Sequence, residues 1–325
     1  MGTVRLVSTG MWVPERVLTN ADLERMVDTT NEWIVERTGI RERRIAPDDV
    51  GAVDMGCLAS QKTLEDAGLG ADEVDAIIVS TATPDRLLPA TACDIQARLG
   101  AHRAVSFDVW GACSGWLYAL NVARGLIATG QAETALCVAT EKMSAITDWT
   151  DRATCVLFGD AAGAAVVRRS DEEGRGILAS YMRSDGTLAQ LLFRAPFNQQ
   201  LASAEIAARD GYLQMAGREV FKNAVRSMCE AVDAVLEQAG VSKGEIDLLV
   251  PHQANIRIIE ATAKYARVPM DRVWVNVDRY GNTSSATIPV SLHEAREAGR
   301  ISDGSLVLIV TFGAGLTWAG TLIRW

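Results

Sequence analysis

Cys113 stands in the stretch FDVWGACSGW, residues 107–116, on the turn where an apolar strand-like run gives way to a helix-like one. A helix N-terminus offers free backbone N–H groups and the positive end of the helix dipole, a setting that favours a thiolate. Gly111 and Gly115 flank the cysteine and would let a substrate come close to the backbone. The competing reading is a cysteine that only packs, the commoner fate of a free thiol. In LLVPHQANIRII, His252 follows a buried strand, where α/β sheets collect ligands and catalysts. A histidine satisfied at a strand terminus would look the same. Asn282 lies in YGNTSS, which taken alone is an ordinary helix N-cap signature. If the three met, the cysteine would supply a nucleophile. The histidine and asparagine would supply hydrogen-bond donors for a carbonyl oxygen that gains charge.

The remaining candidates are weaker. His293 in SLHEAREAG reads as solvent-facing, and His102 in LGAHRAV as a loop residue. Cys57, Cys93, Cys137, Cys155 and Cys229 fall inside apolar helix or strand patterns and read as packing residues. No CxxC occurs and there are three histidines, so no zinc spacing appears, and reduced thiols in a cytoplasmic protein are the expectation.

What would bring the three residues together is a repeat. LEDAGLGADEVDAIIVS from Leu64 and LEQAGVSKGEIDLLVPH from Leu236 align without a gap. Leu64, Ala67, Gly68, Glu73, Asp75 and Ile78 fall opposite Leu236, Ala239, Gly240, Glu245, Asp247 and Val250. Each reads as a helix ending at glycine, a polar turn and a buried strand. VSFDVWGACSG and VWVNVDRYGNTSS are both expected to run strand, glycine turn, helix, which sets Asn282 on the counterpart of the Cys113 turn. LFGDAAGAAVV and TFGAGLTWAGTLI follow as glycine-punctuated strands. The reading is an internal duplication: a half at 1–170 carrying the cysteine, a half at 171–325 carrying the histidine and asparagine, and the charged loop 170–176 as seam. A pseudo-twofold axis would then bring equivalent strand ends together.

Helices are expected in VDMGCLASQKTLEDAG, CSGWLYALNVARGLIATG, REVFKNAVRSMCEAVDAVLEQAG and SSATIPVSLHEAREAG. In the third, Val220, Ala224, Met228, Ala231, Val235 and Ala239 recur at helical spacing. AIIVST, LLVP and LVLIVTF are continuous apolar runs, as in strands covered on both faces. The fold class is α/β. At 325 residues the chain suits two domains or one large one, and a net charge of −9 argues against a general nucleic-acid binder. No apolar run nears the ~20 residues of a membrane helix. GAGLTWAG near the end imitates a dinucleotide fingerprint, but its spacing departs from GxGxxG and too little chain follows it.

NEWIVERTGIRERRI, ACSG, DRATCVLFGDAAGAAVV, PHQANIRII, YGNTSSATIP and FGAGLTW occur in that order along the chain. With these six motifs the sequence resembles β-ketoacyl-acyl carrier protein synthase III, of the thiolase-like condensing enzymes. The resemblance implies an internally duplicated five-layer αβαβα sandwich, a homodimer, and Cys113, His252 and Asn282 as catalytic residues. Cys113 would take an acyl group from an acyl-CoA. Malonyl-acyl carrier protein would lose CO2, with its enolate held by His252 and Asn282, to give a 3-ketoacyl product at the start of fatty acid synthesis. An oxyanion hole would form from the N–H groups of Cys113 and Ala314, a position where many relatives carry glycine. Trp33, Arg37 and Arg152 would hold the coenzyme A nucleotide and Asn255 the pantetheine arm. Leu88 of one subunit would close the partner's acyl pocket beside Met143, Phe158 and Leu213. Lys222, Arg257 and Lys264 would dock the acidic carrier protein. No metal or redox cofactor is implied.

Within the fold, thiolases use a second cysteine and elongating synthases a second histidine where Asn282 stands. A starter-unit enzyme of a polyketide-like pathway keeps the same three residues and is the alternative. From another class, a cysteine thioesterase or hydrolase would use them with water and need no malonyl group. A non-catalytic partner subunit is disfavoured by the presence of Cys113.

Overall fold

The computed structural model describes residues 3–195 and 211–325. In chain order its first sheet and the helices around it comprise β1 (Thr3–Trp12), α1 (Asn31–Thr38), α2 (Ala52–Ala67), β2 (Ala76–Ser80), α3 (Thr91–Leu99), β3 (Val105–Val109), α4 (Gly115–Ala128), β4 (Thr134–Lys142) and β5 (Asp160–Ser170). The second set is β6 (Gly176–Ser184), α5 (Gly217–Ala239), β7 (Leu248–Pro251), α6 (Ile256–Ala266), α7 (Thr287–Glu297), β8 (Leu306–Gly313) and β9 (Thr317–Arg324).

The first sheet has the order β1-β5-β4-β2-β3, and the second β6-β9-β8-β7. β2 and β4 pair in parallel, as do β7 and β8, while β4–β5 and β8–β9 are antiparallel. The two sheets therefore share one topology, β1, β5, β4 and β2 matching β6, β9, β8 and β7. Side-chain alternation along each strand explains the layering. Ile77 and Val79 point outward to α2 and α3, whereas Ala76 and Ile78 point inward. Leu308 and Val310 face α5 and α6, whereas Val307 and Ile309 face inward. The inward sets of both sheets meet Leu117 and Leu120 of α4 and Ile288 and Leu292 of α7. The layers thus run α2/α3, sheet, α4/α7, sheet, α5/α6, the expected five-layer sandwich.

The aligned residues of the repeat do matching jobs. Gly68 and Gly240 end α2 and α5 in the left-handed region, at φ 66° and 64°, which favours glycine. The N–H groups of Leu69 and Val241 then reach back to the carbonyls of Leu64 and Leu236. Asp75 accepts the N–H of Thr134 at the start of β4, and Asp247 that of Leu306 at the start of β8.

Two sequence expectations fail. VWVNV does not form a strand matching β3: only Val273 makes an isolated bridge, to Leu249. The Gln253 carboxamide takes the place of the ladder, donating to the carbonyls of Pro251 and Trp274 and accepting the N–H groups of Asn276 and Val277. A side chain that satisfies those backbone groups removes the reason to extend the strand. Cys155 lies in neither helix nor strand but in the turns before β5.

Candidate active site

The first sheet delivers Cys113 through a three-residue 3₁₀ turn, Ala112–Ser114, between β3 and α4. Ala112 holds a φ of +45°. The second half repeats the device: Ser284–Ala286 forms a 3₁₀ turn before α7, and Ser284 holds a φ of +50°. Such strain in residues with a Cβ costs about 1–3 kcal/mol and persists where the surroundings enforce it. By place in the turn, the counterpart of Cys113 is Ser285. Asn282 sits three residues earlier, on the approach to the same turn.

A cavity of about 890 Å³ opens between the two turns, and Cys113, His252 and Asn282 all line it together with Gly313 and Ala314. Cys113 is 8% exposed. Burial pushes its thiol up to about 12, and the Glu141 charge acts in the same direction. The Ser284 hydroxyl and the thiol's own backbone N–H pull the other way without prevailing. Burial thus works against the thiolate that a helix terminus would favour. The flanking glycines serve packing rather than substrate access. A Cβ on Gly115 would stand 2.1 Å from Ser80 Oγ, and one on Gly111 2.9 Å from Gly115 Cα.

His252, following β7, is 3% exposed, and burial holds its imidazole down at about 3, so it is neutral. Its backbone N–H donates to the Val310 carbonyl at 2.9 Å, and its ring Nδ1 meets Thr287 Oγ1 at 2.7 Å. Asn282 is anchored by its backbone, donating to the Leu157 carbonyl at 2.8 Å and accepting from Gly159 at 3.2 Å. Its side-chain Oδ1 accepts the Ser284 N–H at 2.9 Å, which assigns Nδ2 as the free, donating end. Ala314 stands outside the left-handed region, so the turn accepts its Cβ.

Sequence reasoning passed over Glu141, at the end of β4. Its buried carboxylate accepts from Ser285 Oγ at 2.6 Å and Ser285 N at 3.2 Å with one oxygen. The other accepts from Ala82 N at 2.9 Å. It ties the loop after β2 to the turn after Asn282. Burial raises its pKa against those hydrogen bonds. A charged residue within TALCVATEK was the available signal, since an ionisable group inside a buried strand must be paired.

The remaining candidates divide. Met143, Phe158 and Leu213 line the cavity and pack with Ile146 as one apolar cluster. Leu88 does not line it: it is 85% exposed on the loop after β2, where its neighbour Leu87 does reach the cavity. Trp33 on α1 carries both guanidinium groups, Arg37 at 5.1 Å and Arg152 at 4.9 Å from the ring centroid. Asn255 lines the cavity and caps α6, its Oδ1 accepting Arg257 N at 2.9 Å and its Nδ2 donating to the Arg37 carbonyl at 2.8 Å. Lys222, Arg257 and Lys264 are exposed, with Lys222 paired to Glu219 at 3.1 Å. His293 corrects an expectation: it is partly buried, with Nδ1 3.2 Å from Thr9 Oγ1. His102 is exposed in a loop. Among the described residues no cluster of three or more potential metal ligands occurs, and no helix is long and apolar enough to cross a membrane.

A duplicated sandwich with a cysteine, a neutral histidine and an asparagine at one cavity defines a thiolase-like condensing enzyme. Comparison with known proteins narrows this. Residues 107–186 match the family model of 3-oxoacyl-[acyl-carrier-protein] synthase III, and residues 236–325 match the model of its C-terminal part. The β-ketoacyl-[acyl-carrier-protein] synthase III of Symbiobacterium thermophilum is 50% identical over 324 residues, 99% of this chain and 98% of that protein. The crystal structure of β-ketoacyl-[acyl carrier protein] synthase III from Thermus thermophilus superposes with a TM-score of 0.93 at 48% identity, covering 99% of each chain. The priming β-ketosynthase of the R1128 polyketide pathway gives 0.93 at 37% identity, covering 99% of this chain and 96% of that one. The chain belongs to the β-ketoacyl-acyl carrier protein synthase III family and is an acyltransferase of the condensing type.

Proposed function

We propose that the chain condenses an acyl-CoA primer with malonyl-acyl carrier protein, with loss of CO2, to give a 3-ketoacyl-acyl carrier protein that initiates fatty acid synthesis. The observation that carries the residue roles is that one cavity is lined by Cys113, His252 and Asn282. Cys113 sulfur attacks the acyl carbon, the C–S bond to coenzyme A breaks, and the thiol proton leaves with the coenzyme A sulfur. The N–H groups of Cys113 and Ala314 receive the oxyanion. In the second step the malonyl C–CO2 bond breaks and its electron pair becomes an enolate. His252 and Asn282 Nδ2 hold the enolate oxygen while its carbon attacks the acyl-cysteine and expels the Cys113 thiolate, which takes a proton from water to restore the thiol. The anion forms by loss of CO2, so no strong base is required, and each donor is worth about 10²–10³ in rate.

Trp33, Arg37 and Arg152 form the nucleotide site, and Asn255 guides the pantetheine arm to the cavity. Met143, Phe158 and Leu213 receive the acyl chain. Lys222, Arg257 and Lys264 offer exposed cations to an acidic carrier protein despite the overall charge of −9. A homodimer is supported by the edge strand β3, where Val105 is uncovered, and by the exposed Trp110, Leu87 and Leu88. In that dimer Leu88 reaches the partner's acyl pocket. The chain acts in the cytoplasm as two halves, 1–170 and 171–325. Identity favours this reading over a polyketide starter enzyme, at 50% against 37%. A hydrolase reading has no comparable relative among these matches.

The test is conversion of an acyl-CoA and malonyl-acyl carrier protein to 3-ketoacyl-acyl carrier protein. Release of the free acid with no carbon–carbon product would instead identify a hydrolase.

A further inference from the structure

Arg43 is fully buried, and burial brings its guanidinium down to about 10, so it is charged at neutral pH inside the protein. Its acceptors are neutral oxygens. Nη1 donates to Asn20 Oδ1 at 2.9 Å and to the Leu18 carbonyl at 3.2 Å, and Nη2 to the Val156 carbonyl at 2.7 Å. Nε has no acceptor among the described residues. A buried charge without a carboxylate costs stability that an apolar side chain of similar volume would not. What the guanidinium does is fix residues 156–159 to the small ribbon formed by Val17–Thr19 and Glu42–Arg44. Asn282 is anchored on that same stretch. Its N–H donates to the Leu157 carbonyl at 2.8 Å, its carbonyl accepts from Gly159 at 3.2 Å, and it forms an isolated bridge with Phe158. The Arg43 stem lies against the glycines on either side of this pairing: a Cβ on Gly159 would stand 3.1 Å from Arg43 Cβ, and one on Gly281 3.3 Å.

We propose that Arg43 is a positioning residue for Asn282: by holding the Val156 carbonyl and packing its stem against Gly159 and Gly281, it sets the backbone from which the Asn282 carboxamide reaches the enolate oxygen. The inference rests on the reading of Asn282 as an enolate donor and adds the side chain that fixes its place. Arg43 does not line the cavity, so it acts on the reaction only through the segments it holds. A donor is effective only where the charge develops, and a displacement of about 1 Å can cost about 100-fold in rate. Three carbonyl-type oxygens from separate segments need a planar fork of donors, which a lysine ammonium does not provide.

Arg43→Gln should slow decarboxylation of a malonyl thioester by about 100-fold, with much smaller changes in its KM and in acylation of Cys113. The same substitution is then made in an Asn282→Ala background. There the donor is already gone, so the change at Arg43 should slow decarboxylation no further. A residue that only supports the fold would slow both backgrounds and both half-reactions alike. Where the glutamine variant does not fold, Arg43→Lys, which keeps the charge but not the fork, makes the same comparison. Unchanged decarboxylation in the folded variant, or an equal further loss on top of Asn282→Ala, overturns the proposal. Failure of both variants to fold also overturns it, since Arg43 would then serve folding. Full decarboxylation by Asn282→Ala alone overturns the reading of Asn282 itself, whatever Arg43 does.

Discussion

The carboxamide oxygen of Asn282 accepts the N–H of Ser284 at 2.9 Å, which leaves the amide nitrogen as the donating end of the group. Asn282→Asp keeps the acceptor but replaces the donating end with an oxygen. Malonyl decarboxylation should fall by about 10²–10³, with acylation of Cys113 largely retained. Single-turnover assays of the two half-reactions check this.

Gly313 lies against the nucleophile. A Cβ built there would stand 2.6 Å from Cys113 N and 3.1 Å from its Cβ. Gly313→Ala must move the Cys113 backbone, whose N–H is a proposed oxyanion donor, and overpacking of this kind costs about 1–3 kcal/mol. The expected outcome is a lower melting temperature and a larger loss in acyl transfer than in acyl-CoA binding.

The thiol and imidazole values set the pH behaviour. Because Cys113 is pushed up to about 12, its alkylation rate should keep rising above neutrality without a plateau near pH 7. His252 is held at about 3 against an ordinary 6.5. The unfolded chain therefore binds a proton at this residue below about pH 6.5 that the folded chain refuses, so its contribution to stability is lost progressively as pH falls from there towards 3. Decarboxylation should show no histidine inflection between about pH 5 and 8. A pH titration of rate and of thermal stability reads both effects.

Glu141→Gln converts one acceptor into a donor, so either Ser285 or the Ala82 N–H loses its partner. A buried polar group left unpaired costs about 1–3 kcal/mol. Thermal unfolding should register the loss, and decarboxylation should fall more than acylation, because Ser285 belongs to the turn that follows Asn282.

Trp33 carries Arg37 and Arg152 within 5.1 Å and 4.9 Å of its ring. Each such contact is worth about 0.5–2 kcal/mol. Arg37→Ala and Arg152→Ala should raise the KM for acyl-CoA while leaving that for an acyl pantetheine thioester, which lacks the nucleotide, nearly unchanged.

The fold was readable in the sequence to the extent that burial and turn chemistry are local. Gly68 and Gly240 mark the ends of α2 and α5, and the apolar runs at Ala76 and Leu248 mark covered strands. VWVNV misled because its apolar pattern satisfies a strand, while Gln253, some twenty residues earlier, takes its backbone groups. The site was readable as residue types, Cys113, His252 and Asn282, but not as a network. The contacts of His252 with Thr287, and of Glu141 with Ser285 and Ala82, are hydrogen bonds between distant segments. The thiol's high pKa depends on a depth of burial that the Gly-Ala-Cys-Ser turn does not disclose.

The most direct test is intact-protein mass spectrometry after incubation with a panel of acyl-CoAs, wild type beside Cys113→Ala, followed by malonyl-acyl carrier protein. The account predicts an acyl adduct on the wild type alone, which disappears as 3-ketoacyl-acyl carrier protein forms. No adduct across the panel, or an adduct that survives in the alanine variant, would contradict it.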